Sequence, residues 1–72
     1  MNKGKKISRN RALIKEQISA IRDSGKVNMF DKNLVQRMAH DMDYLELVCF
    51  IEDLPDNYLK FIMSGDDNLI PM

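Results

Sequence analysis

A chain of 72 residues is one domain near the lower size limit for independent folding, and a single cysteine, Cys49, excludes an internal disulfide. His40 and Cys49 lack the paired spacing of zinc modules, so no metal or other cofactor is expected, and the 44% apolar content predicts a homodimer as the remaining source of stability. Net charge is zero but segregated: Lys3, Lys5, Lys6, Arg9, Arg11 and Lys15 precede any acid, whereas eight acids and one base, Lys60, follow from Asp41 onward.

Residues 1–9 show no periodicity and read as a mobile basic arm. A single helical domain is expected over residues 10–65. In its first helix Leu13, Ile14, Gln17, Ile18 and Ile21 recur at helical spacing. Gly25 follows as a left-handed stop, so the helix ends near Ser24. Asp31 is placed to cap a second helix, with Phe30 and Val35 spaced as a hydrophobic staple. Leu34, Val35, Met38, Ala39 and Met42 form one apolar stripe on that helix. Asp43 and Glu46 have the spacing of a capping box, flanked by Met42 and Leu47 as a second staple, which predicts a break at Met42–Asp43 and a third helix from Tyr44 to about Asp53. Residues 47–52 also have the composition of a strand; the capping spacing and the lack of a second strand favour helix. Pro55 suits the first turn of a fourth helix containing Tyr58, Leu59, Phe61, Ile62 and Met63, closed by Gly65. Residues 66–72 form a tail that either packs through Leu69 and Ile70 or frays. The expected fold is all-α, a compact bundle of three to four short helices.

Several chemistries fail on these residues. Gly25-Lys26 could open a phosphate loop, but Ala20 replaces the earlier Gly, Val27 replaces Ser or Thr, and a helix precedes it. Cys49 lies between Val48 and Phe50, so a buried inert thiol is expected. His40 stands off the apolar stripe and reads as a surface residue. The acidic pairs Asp41/Asp43, Glu52/Asp53 and Asp66/Asp67 lack the calcium-loop pattern. The second and third helices have a helix-turn-helix rhythm, yet the would-be recognition segment, Tyr44 to Asp53, carries three acids and no base, which dense phosphate charge would repel. No enzymatic constellation emerges.

The chain from Ile14 to Gly65 resembles a family of small bacteriophage and prophage proteins, a domain of unknown function. The most specific element is Ser-Gly-x-x-Asn-Met-Phe-Asp at Ser24, Gly25, Asn28, Met29, Phe30 and Asp31. Leu47-Val48-x-Phe50-Ile51 and Tyr58-x-x-Phe61-Ile62 agree with it. Asp43 departs from the family pattern, standing where Gly is usual, and Leu54-Pro55 replaces a more polar connector. The resemblance implies a phage or prophage origin, action in the host cytoplasm, and no established catalytic residues.

Two functions are then expected from different classes. The first is a non-enzymatic accessory protein that contacts, and as one form of action inhibits, a host or defence protein. Its contact residues would be Tyr44, Phe50, Glu52, Asp53, Asp56, Tyr58 and Phe61, on a frame set by Gly25, Phe30, Asp31, Asp43, Pro55 and Gly65. The alternative is a nucleic-acid-associated regulator or packaging accessory using Lys3, Lys5, Lys6, Arg9, Arg11 and Lys15. With no signal peptide and no apolar run near the ~20 residues of a membrane span, a soluble cytoplasmic protein with no membrane contact is expected.

Overall fold

The computed structural model describes residues 10–71. Four α-helices follow one another, α1 (Arg11–Ser24), α2 (Lys32–Asp41), α3 (Leu45–Asp53) and α4 (Pro55–Ser64), and a short 3-10 turn spans Asp67–Leu69. Among the described residues there is no strand, and residues 47–52 are helical. The expected basic arm, including Lys3, Lys5, Lys6 and Arg9, lies outside the described residues.

Each helix buries the arc that its sequence period supplies. Ile14, Gln17, Ile18 and Ile21 turn inward from α1, Val35 and Ala39 from α2, and Leu47, Phe50 and Ile51 from α3. Tyr58 from α4 and Ile70 from the tail complete a core whose apolar members are at most 3% exposed. The tail therefore packs. Ile70 is fully buried, the Arg11 guanidinium Nε donates to its carbonyl at 2.8 Å, and the Asn57 amide donates to the Leu69 carbonyl at 3.0 Å. A Lys15–Asp67 ion pair at 2.9 Å sits beside these bonds, with both side chains more than two-fifths exposed. In that setting its net contribution is small.

Two helices end on the same device. Gly25 and Gly65 adopt left-handed φ values of 67° and 73°. In each case the preceding serine hydroxyl donates back to its own helix, Ser24 to the Ile21 carbonyl and Ser64 to the Lys60 carbonyl. Each hydroxyl also accepts from the amide after the glycine, that of Lys26 or Asp66. Asp31 caps α2 as expected, its carboxylate accepting from the Leu34 amide at 3.2 Å. Pro55 opens α4.

The α2–α3 corner is built differently from the expected capping box. Asp43 has φ of 60°, a left-handed conformation outside the cap position, and the residue before α3 is Tyr44, which makes no side-chain cap bond. Asp43 instead closes α2. Its amide donates to the His40 carbonyl at 3.1 Å and the Tyr44 amide to the Ala39 carbonyl at 2.8 Å, the two-bond pattern of a Schellman end. That motif wants Gly at its left-handed residue, and an aspartate fills the position here.

The Phe30 staple also changes. Val35 is fully buried, but Phe30 keeps 55% of its surface open.

Candidate interaction surface

With no local acceptor at its start, α3 takes one from α1. Gln17, 7% exposed, accepts from the Leu47 amide through Oε1 at 3.1 Å and donates from Nε2 to the Glu46 carboxylate at 3.2 Å. The expected partner of Asp43 in the capping box is thus bound to Gln17 instead. On the other flank of α3 the Gln36 amide donates to the Val48 carbonyl at 3.1 Å and to Glu52 at 3.0 Å. These bonds fix α3 between α1 and α2, and with it the surface that the corner presents.

Of the seven expected contact residues, the structure withdraws two. Phe50 and Tyr58 are fully buried. Their rings meet edge to face with centroids 6.4 Å apart, and the Tyr58 hydroxyl donates to the Met29 carbonyl at 2.6 Å. Such a pair is core: large aromatic rings at inward positions of two adjoining helices bury more apolar area than any alternative placement. Burial also pushes the Tyr58 phenol well above its ordinary value of 10.0. Tyr44 and Phe61 are half-buried, packed against the core with one edge open. Glu52, Asp53 and Asp56 are exposed on either side of the Leu54-Pro55 connector. Cys49, expected to be buried, is half-buried.

Other side chains carry the open apolar surface. Phe30 is 55% exposed, Leu34 and Met42 41% each, Leu45 40% and Met63 75%. Leu34 and Met42 were expected within the inward stripe of α2. The buried arc is centred on Val35 and Ala39, so both fall at its margin, and each keeps about two-fifths of its surface open. The excess of large apolar residues was the available signal; which of them would stay open depended on how the helices pack.

The expected nucleic-acid residues within the described region are already engaged, Arg11 with Ile70 and Lys15 with Asp67. Among the described residues no helix is long and apolar enough to cross a membrane, and no three His, Cys, Asp or Glu side chains group as a metal site.

A family model for a domain of unknown function, DUF5049, matches residues 11–66. The chain belongs to the DUF5049 family. The DUF5049 match takes in all four helices, the Ser-Gly stop after α1 and the α2–α3 corner, and it ends before Ile70. No curated protein matches the chain, and no solved structure matches it.

Proposed function

We propose that this DUF5049 protein is a phage or prophage accessory factor of the host cytoplasm that works by protein–protein contact rather than by catalysis. One observation carries the reading. Among the described residues five large apolar side chains stay 40% or more exposed, although the core is already filled by Tyr58, Phe50, Ile14, Ile18, Ile21, Leu47, Ile70 and Val35. Apolar surface left in water costs free energy that a partner recovers, and methionine at Met42 and Met63 adapts its shape to what it meets.

Charge gives the surface a polarity. Glu52, Asp53 and Asp56 stand exposed at the α3–α4 corner, and Asp56 shares the outer face of α4 with Met63, seven residues on. An apolar anchor on an acidic face suits a basic partner surface, such as the nucleic-acid groove of a host or defence protein, which it would occupy and block. The phage origin rests on the residues 24–31 signature.

The test is affinity capture from bacterial lysate with the wild-type chain, with Met63→Asp, and with Glu52→Lys combined with Asp56→Lys. A host protein retained by the wild type and lost from both variants is expected. Identical retention by all three baits, or none by any, overturns the reading.

A further inference from the structure

Side chains on α2 fall in rows four residues apart, and three of these rows matter. Val35 and Ala39 form the buried row. Beside it run Leu34, Met38 and Met42, with Leu34 and Met42 41% exposed and Met38 half-buried. Beyond that row stand Asn33, Arg37 and Asp41, all exposed. Phe30 before the helix and Leu45 after the corner are also exposed, at 55% and 40%.

The order of these residues is self-complementary. Leu34 and Met42 are equidistant from Met38. Arg37 and Asp41 are equidistant from Ala39, so the two centres differ by one residue, about 1.5 Å along the axis. Turning a second copy end for end about that centre sets Leu34 of each copy against Met42 of the other. The same rotation brings Arg37 of each copy to Asp41 of the other. Phe30 then reaches the start of α3 near Leu45. We infer that this face of α2 binds a second copy of the same chain, with the two helices antiparallel about a two-fold axis at Met38.

Charge selects this occupant over others. Among the described residues neither Arg37 nor Asp41 belongs to an ion pair of the kind that Lys15–Asp67 and Arg22–Asp23 form. Within one helix, a base four residues before an acid is the weaker of the two orders. Asp41 also ends α2, where the helix dipole already concentrates negative charge and disfavours an acid. A cation supplied from outside relieves both defects. A wholly basic partner would meet Arg37 badly, and a wholly acidic one would meet Asp41 badly. An antiparallel copy presents both signs in the required order.

The contact is small. A helix of ten residues is about 15 Å long, and its exposed row with the two flanking side chains buries less than the roughly 800 Å² per partner of a standard interface. The dimer is therefore weak and concentration-dependent. This inference rests on the reading of the open apolar side chains as contact surface, and assigns those around α2 to self-association. Met63 and the acidic α3–α4 corner are left to the host partner.

Sedimentation velocity of the full chain, from about 10 μM to 1 mM, tests it over the range in which a contact of this size associates. The wild type is expected to pass from monomer to dimer. Leu34→Asp and Met42→Asp should each weaken association at least about tenfold, since a buried unpaired charge opposes contact, while circular dichroism stays unchanged. Arg37→Asp alone and Asp41→Arg alone should each fail to self-associate, whereas their equimolar mixture forms a heterodimer. A wild type monomeric throughout overturns the inference, as does a dimer that Leu34→Asp and Met42→Asp leave intact. A mixture of the two charge variants no more associated than either alone overturns it as well. Because Arg37 and Asp41 are exposed, the charge exchange remains decisive if an apolar substitution disturbs folding. Host capture lost from the Met63→Asp variant with dimerisation intact, or the converse, separates this inference from the partner reading.

Discussion

The joint between α1 and α2 and the corner between α2 and α3 solve one problem in opposite ways. At the first, the stop and the cap are both local in sequence: Gly25 takes the left-handed turn, Ser24 ties it to α1, and Asp31 caps α2. At the second, a non-glycine residue takes the left-handed conformation, and the cap for α3 comes from Gln17, thirty positions before the Leu47 amide it satisfies. A joint built from local groups can form before the fold does. The corner has its cap only after α1 has docked, so its geometry reports on the whole domain.

The largest expected effect comes from removing the borrowed cap. Gln17→Leu preserves bulk but leaves the buried Leu47 amide and the Glu46 carboxylate without their partner. The loss is expected to be about 1–3 kcal/mol, read as a lower midpoint in urea with unchanged slope. An unchanged midpoint would mean that solvent satisfies the start of α3 and that the two joints do not differ as described.

The local joint has one long-range tie, the bond from the Tyr58 hydroxyl to the Met29 carbonyl. Tyr58→Phe should cost about 0.5–1.5 kcal/mol at neutral pH. Its signature is the pH dependence. With the folded phenol raised above the unfolded value of 10.0, the stabilisation is complete below pH 10 and declines as pH rises beyond it, because the unfolded chain loses its proton first. Tyr58→Phe removes this component of the alkaline decline. Wild-type and variant curves that stay parallel from pH 8 to 11 would contradict the burial of that hydroxyl.

The finest comparison exchanges the two left-handed residues. No atom lies within 4 Å of a Cβ built on Gly25, so Gly25→Ala tests conformation alone and should destabilise by about 1 kcal/mol. Asp43→Gly should act in the other direction, stabilising by a few tenths to about 1 kcal/mol by relieving the left-handed aspartate. Thermal melts of both variants decide it. Two shifts of the same sign would refute the view that φ governs both positions.

The same contrast shows what the residues reveal unaided. Gly25, Asp31, Pro55 and Gly65 could be placed because their preferences concern their own backbone and one neighbouring turn. The all-α fold followed from those stops and from the helical periods between them. Asp43 was assigned to the start of α3 because its spacing to Glu46 suited a cap. The same carboxylate spacing occurs whether or not the residue turns left-handed, and the choice is made by the Schellman bonds to Ala39 and His40. Gln17 stood in the inward pattern of α1, but its partners could not be read, since they belong to a helix that packs there only in the finished fold. On the surface the distinction is the same. Excess apolar content was visible in composition, whereas the burial of Phe50 and Tyr58 and the exposure of Leu34 and Met42 follow from the angle at which helices meet.

The seat of Ile70 has a consequence in time. The Arg11–Ile70 bond joins residues 59 positions apart, so α1 to α4 must all be synthesised before the bundle can close over Ile70. Contacts of such separation form late, after the loop between them has paid its entropy. A nascent chain halted after α4 would leave the site of Ile70 open to water, and the weakened bundle would open more often to proteolysis.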